Sequence, residues 1–526
     1  MMKTSRRTLV GGALALSCAC WPGGCVTPTQ TSGGAFVCPP CGCAMDDHVF
    51  DAPGQCPACG MSLVPRDAVE QRIAPSALRA DFTALYEGLR QAHFNLYAQL
   101  SRDDTERLFR GTLATLERPL TVFEAKAQFQ RFAAAGRVAH ARIDFLAEAF
   151  AAFRGAGGKA FPFAVRIDAG RVYVVQNLSG IDSIEPRCTI EELNGQSMAD
   201  WLIRLGRYVS ADNDYLKWVL MEPQFNALLW LEAGEIDAFR MRTRRSGGQI
   251  RYVDVPARSR AEMRANAGAN PSLLQIDSTE RIARMISGSL AYLRPGVFLN
   301  LDQAGDPYDP SAFHAFIDGA FTQFLTAGAT RVLIDLRDNP GGDNSFSDHM
   351  VAWFAKRPFR FCSDFRVHVS AQAIAANAER LATEPPGGLS HRFAQAYATA
   401  SPGQVIHFDV PPTAPRDGAR FEGHVNVLVN RRSYSNAVAV AALVQDYGFG
   451  TVSGEPTADL ATTYGSMEHF ALPSTGISVG FPKAYIIRPN GDRRVQGVTP
   501  ELIIETPIVE TADDPVLQAV IRAMSN

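Results

Sequence analysis

Cysteine is nearly absent from the body of this 526-residue chain. Eight of its ten cysteines precede residue 60, and only Cys188 and Cys362 lie beyond. A disulfide-stapled fold spreads its cysteines along its length, so the large part of the chain folds without bridges. An excess of one charge is also missing: 51 basic and 54 acidic residues leave a net charge of −3. That removes the electrostatic case for a nucleic-acid or anionic-membrane partner. No apolar run approaches the roughly 20 residues of a membrane span except the N-terminal stretch, and that one is short. No internal repeat is present. What remains is 46% hydrophobic and 20% charged, an ordinary globular composition whose length calls for about two to four domains.

The chain begins Lys3-Thr4-Ser5-Arg6-Arg7, followed by an apolar stretch from Thr8 to Ala19. This is the pattern of an export signal over residues 1–25, and S-R-R-T-L-V resembles the twin-arginine type. It leads to the expectation of a periplasmic or cell-envelope protein. A lipid on Cys18, Cys20 or Cys25 would add a membrane tether, although none has a good lipobox before it. Residues 26–35 are small and polar and read as a linker.

Residues 36–66 hold Cys38-x-x-Cys41 and Cys56-x-x-Cys59, two thiolate hooks 14 residues apart. Four thiolates on two tight turns make a tetrahedral metal site, which a segment too small for a core needs as a staple. Two disulfides are the other reading, open to an exported protein. Cys43, Met45, His48 and Met61 are spare ligands. Thiolate ligation favours one zinc or another thiophilic ion, with Cu(I) as the alternative. The segment resembles the heavy-metal-binding domain appended to metal-efflux proteins. That family has C-P-M-H at the first hook and C-P-x-C-G-M at the second; here Cys41 stands where its histidine is usual, and the second hook matches.

Residues 75–155 carry apolar positions at helical spacing and read as a helical N-terminal domain. Residues 160–258 read as strand pairs with Gly turns, with C-T-I-E-E-L-N-G-Q-S-M-A-D-W-L as strand, Asn-Gly turn and helix. Residues 285–526 alternate strands and helices, which implies an α/β domain whose sheet is covered on both faces.

Two segments of that last domain carry chemistry. V-N-V-L-V-N-R-R-S-Y-S-N-A-V-A-V (425–440) is a buried strand breaking into a helix, with Ser435 at the turn. A serine there either caps the helix or presents a nucleophilic hydroxyl beside free backbone N–H groups. V-L-I-D-L-R-D-N-P-G-G-D-N (332–344) is a second buried strand running into Gly341–Gly342. That is a simple tight turn, or an oxyanion hole if a nucleophile lies near.

I-D-L-R-D-N-P-G-G, followed by L-V-N-R-R-S-Y-S-N-A-V, resembles the tricorn-type and C-terminal-processing serine peptidases. G-T-V-S-G-E-P-T (450–457), R-R-V-Q-G-V-T-P-E (493–501), R-Q-A-H-F-N-L-Y (90–97), A-G-R-V-A-H-A-R-I (135–143) and I-E-E-L-N-G-Q (190–196) resemble further stretches of that family, in its order. The resemblance spans residues 75–510. It implies a multidomain α/β protein: a Cys-rich zinc-ribbon-like module, a helical region, a PDZ-like β-rich region and a ClpP/crotonase-like catalytic domain. It also implies Ser435 as nucleophile, and Gly341, Gly342 and Asn436 as oxyanion donors.

One branch of the family uses a lysine about 25 residues after the serine. Here that place holds Leu460, and residues 458–466 contain no lysine. The other branch uses a histidine, and His140 matches it. Imidazole, with an ordinary pKa near 6.5, suits a general base at neutral pH. The family's orienting groups are missing: Arg494 and Ala139 stand where a glutamate and a serine are usual. Glu455, Glu468 and Asp343 are the acids nearest in motif. The expected activity is exported acyl-transfer peptidase chemistry on peptides or protein tails, with no cofactor needed for catalysis. A degenerate, metal-responsive peptide-binding module is the alternative.

Overall fold

The computed structural model describes residues 36–38, 45, 48–65, 72–270, 272–302, 305–382 and 388–525. The expected signal segment 1–25, the linker 26–35 and Cys41 lie outside the described residues. No described helix is long and apolar enough to cross a membrane.

The C-terminal half is built on a six-stranded sheet. Its strands run in the order Ile282–Met285, Leu290–Arg294, Arg331–Asp335, His424–Val429, Thr451–Gly454 and Leu502–Ile503. The first pair is antiparallel and every later pair is parallel. Parallel strands need helical crossovers, and these cover both faces. Ala291, Leu293, Val332, Ile334, Val425 and Val427 point to one face, under the helices Ser311–Thr326 and Asn436–Tyr447. The alternate residues Leu290, Tyr292, Leu333 and Leu428 point to the other, under Val516, Leu517 and Val520 of the helix Pro515–Ser525. The continuous apolar runs in the sequence come from this two-sided burial.

Residues 163–256 form an antiparallel sheet. The hairpin Phe163–Asp168/Arg171–Asn177 turns through Ala169 and Gly170, both at positive φ. Asn194–Gly195, also at positive φ, turns the strand Thr189–Leu193 into Gln196–Ser197 and the helix Met198–Gly206. An Asn-Gly pair is suited to such a turn because both residues tolerate the left-handed region.

The helical stretch packs on itself through Phe82, Phe109, Phe129 and Phe132, and its core continues into another layer. Leu78, Phe82, Leu85 and Leu89 form one stripe of the helix Pro75–Ala92. They share a cluster with Val367, Val479, Phe481 and Ala484 of a four-stranded sheet, Val405–His407, Asp364–His368, Ser478–Ile487 and Thr463–Ala471. Amphipathic helices must bury their stripe against another layer, and here that layer comes from the distant C-terminal half. Asp81 fastens the two, accepting from the Ser474 and Thr475 N–H groups at 2.8 Å each.

Candidate active site and metal centre

The strand His424–Val429 lies inside the six-stranded sheet and delivers the chain to a tight turn at 430–435. Several hydrogen bonds fix that turn. The Asn430 N–H donates to Ser433 Oγ at 3.1 Å, and Ser433 Oγ donates to the Leu336 carbonyl at 2.7 Å. The Tyr434 N–H donates to the Asn339 carbonyl at 2.9 Å. The Ser435 N–H donates to Asp459 Oδ2 at 2.5 Å. Ser435 itself stands at φ +53, ψ −120 at the head of the helix Asn436–Tyr447. A non-glycine residue held at positive φ costs of order 1 kcal/mol or more and persists only where its surroundings impose it. The Ser435 hydroxyl makes no capping bond to the helix, so the cap reading of this serine fails.

The neighbouring parallel strand Arg331–Asp335 runs into the second turn. Gly341 and Gly342 stand at φ +88 and +131. A Cβ on Gly341 would sit 2.7 Å from both the Asn436 nitrogen and the Tyr434 carbonyl oxygen; one on Gly342 would lie 2.2 Å from the Phe298 carbonyl oxygen. Only glycine lets the two turns pack this closely. The Gly341 N–H donates to Asn339 Oδ1 at 2.8 Å, so Gly341 supplies closeness rather than an oxyanion donor, a correction to the sequence reading. Among the described residues, neither the Gly342 nor the Asn436 N–H meets an acceptor. The Asn436 side chain locks the two turns together, donating to Ser347 Oγ and the Asp343 carbonyl and accepting from Asn344 Nδ2.

His140 follows the helix Val122–Ala135 and belongs to a loop braced from the β-rich region. Gln130 accepts from the Ile143 N–H at 2.7 Å and donates to Ser210 Oγ and the Tyr208 carbonyl. Ser210 donates to the Ala141 carbonyl at 2.6 Å, and the Ala139 N–H donates to Asp212 Oδ2 at 3.0 Å. These contacts bring the His140 ring against Tyr434, one residue before Ser435, with centroids 5.8 Å apart and planes 28° from parallel. The imidazole is buried. Burial and the nearby Arg142 guanidinium push it down to about 4, against a hydrogen bond to the Tyr464 carbonyl. It is therefore neutral at pH 7, as a base must be, but its conjugate acid is disfavoured far more than its type alone implies.

Of the three acids nearest in motif, two are paired with cations and the third caps a helix. Glu455 pairs with Arg166 at 2.7 Å, Glu468 with Lys483 at 2.6 Å and with Arg380, and Asp343 accepts from the Ser345 N–H at 2.8 Å. Two carboxylates that sequence reasoning missed lie here instead. Asp459 is 1% exposed and Asp212 4%. Burial raises Asp212 to about 6 and Asp459 to about 7. The signal for Asp459 was present: one acidic residue inside the apolar run A-D-L-A, beside the position inspected for lysine.

The N-terminal module is a three-stranded antiparallel sheet, Val49–Phe50, Phe36–Val37 and Val64–Pro65. Its turns bring Cys38, Cys56 and Cys59 together with all three sulfurs within 4.8 Å of one another, Cys38 and Cys59 at 3.4 Å. No disulfide joins these three. Convergent thiols around a small core, Cys38, Cys56 and Leu63 among the described residues, fit a thiophilic metal.

Residues 310–504 match the family model described as Peptidase family S41, and residues 35–66 match that of the heavy metal binding domain. The first match includes Ser435 and both glycines; His140 lies before it. No curated protein matches the chain. Among solved structures, mature CPAF complexed with lactacystin is 15% identical, with a TM-score of 0.59 over 86% of this chain and 97% of that one. Mature CPAF alone is 16% identical, with a TM-score of 0.57 over 86% and 96%. At these identities the likeness establishes a shared fold across most of the chain. The chain is thus a serine-type peptidase, carrying a family S41 domain and, ahead of it, a heavy metal binding domain.

Proposed function

We propose that the chain is an exported serine peptidase that cleaves peptides or protein tails through an acyl-enzyme, with Ser435 as nucleophile and His140 as general base. The observation that carries this reading is the packing of the Gly341–Gly342 turn onto Ser435, which leaves the Gly342 and Asn436 N–H groups without acceptors beside the nucleophile. His140 takes the Ser435 Oγ proton as Oγ bonds to the scissile carbonyl carbon. The carbonyl oxygen gains the negative charge and accepts from Gly342 and Asn436. Collapse breaks the C–N bond, and the imidazolium gives its proton to the departing amine. Water then attacks the ester carbon while His140 takes its proton, releasing the acid and restoring the Ser435 hydroxyl.

Cys38, Cys41, Cys56 and Cys59 would hold one thiophilic ion, zinc by ligand type, as a structural staple away from this chemistry. The basic Lys3–Arg7 start and the apolar stretch after it support export. Peptide hydrolysis by the full chain tests the reading. Activity lost in both Ser435→Ala and His140→Ala, with circular dichroism unchanged, supports it. Hydrolysis that survives either substitution contradicts it, and a well-folded chain that cleaves nothing returns the degenerate peptide-binding alternative.

A further inference from the structure

We propose that Asp459, backed by Asp212, is the positioning carboxylate of the Ser435–His140 pair, replacing the acid missing at Arg494; the proposal rests on the peptidase reading above.

Asp459 lies on the loop between the strands Thr451–Gly454 and Thr463–Ala471. Its Oδ2 accepts the Ser435 N–H, so it sets the backbone of the nucleophile directly. Its Oδ1 is buried with no partner, and so is Nδ1 of His140. Both groups belong to the surroundings of Tyr434, whose ring stacks on His140 and which feels the charges of Asp459, Asp212 and Asp144. A buried polar atom without a partner is destabilising, and two around one side chain point to a bond or charge contact made during turnover.

The catalytic cycle supplies that moment. When His140 accepts the serine proton it becomes a buried cation, with the like charge of Arg142 nearby. A buried cation is stable only beside an anion. Asp459 in its ionised form is that anion. Asp459 also faces the Asp212 charge, the Arg142 guanidinium, the Tyr434 hydroxyl and the N–H groups of Ser435 and Leu460. Burial first, and then Asp212, raise its carboxyl to about 7, while the two N–H bonds and Arg142 oppose the rise. Asp212 in turn holds the Ala139 N–H next to His140, so the two carboxylates brace the two halves of the pair.

The test is the pH dependence of peptide hydrolysis by the full chain, by Asp459→Asn and by Asp212→Asn. Both substitutions keep an amide oxygen that can accept the observed backbone N–H. For the unsubstituted chain kcat/KM is expected to rise through about pH 7 as Asp459 ionises. Asp459→Asn is expected to lower kcat by roughly tenfold or more with KM within about threefold, and to abolish that rise. Asp212→Asn removes a repelling charge and is expected to move the rise to lower pH. An Asp459→Asn chain that keeps both its kcat and its rise overturns the proposal while leaving Ser435 and His140 in place. So does a rise that moves to higher pH in Asp212→Asn. A chain with no Ser435-dependent hydrolysis overturns the proposal together with the reading beneath it.

Discussion

The backbone N–H of Ser435 donates to Asp459 Oδ2 across a 24-residue separation, at 2.5 Å. The Ser435 amide is therefore committed to a buried acid, and any oxyanion at this turn is left to Asn436 and Gly342. The same bond explains why Ser435 holds a positive φ without a glycine's freedom. Its conformation is imposed by Asp459 from one side and by the Tyr434–Asn339 contact from the other.

Gly341→Ala is expected to cripple hydrolysis. The new methyl would lie 2.7 Å from the Asn436 nitrogen and from the Tyr434 oxygen, at φ +88. Both are backbone atoms and cannot swing away. The turn must move off Ser435, so kcat should fall about 100-fold or more. The unfolding free energy should drop by about 1–3 kcal/mol. Steady-state kinetics with urea unfolding checks both numbers.

Arg337, in the strand-to-turn segment before the glycines, is 2% exposed. It donates to Asp335 at 2.8 Å and to both oxygens of Asp514 at 2.8 Å each. Arg337→Met leaves these carboxylates without their main cation, and should cost about 3–5 kcal/mol in denaturant unfolding.

Acid should weaken the same cluster. Burial works against the Asp335 charge, yet the Arg337 and Arg294 guanidiniums hold its carboxyl down to about 2. Its folded value lies below its unfolded one. Its contribution, about 2 kcal/mol by linkage, is therefore full above roughly pH 4 and is lost as the pH falls from there toward 2. Urea midpoints across that range are expected to decline more steeply in the unsubstituted chain than in Asp335→Asn.

The N-terminal module is expected to bind about one thiophilic ion per chain, and to lose it in the double substitution Cys56→Ser, Cys59→Ser. Elemental analysis of the purified full chain reads this directly. The module's small core of Cys38, Cys56 and Leu63 is separate from the cluster around Tyr434. Stripping the ion with a chelator should accordingly leave hydrolysis of a short peptide within about twofold.

The sequence carried the sheet and the sharp turn at Ser435 because both are local. The apolar run of 425–429, the break at 430–435 and the glycine pair announce themselves within a few residues. The thiolate hooks do so as well. Pairing over long separations was not legible. Asp212 reaches the amide before His140 from 73 residues away, and no spacing rule connects them. The Gly341 N–H looked like a donor to substrate until Asn339, two residues earlier, was seen to take it. His140 was expected to act as an ordinary imidazole; burial, a property of the folded chain, pushes it down to about 4. The helices of 75–155 read correctly as amphipathic, but the sheet that receives their stripe lies in the C-terminal half.

Covalent trapping tests the central claim most directly. The full chain treated with a fluorophosphonate at neutral pH, digested and sequenced by mass spectrometry, should carry one phosphonyl group on the peptide containing Ser435. Labelling should be lost in Ser435→Ala and slowed at least about tenfold in His140→Ala. A folded chain that takes up no label, or that is labelled equally well without Ser435, contradicts the assignment of this turn as the nucleophile.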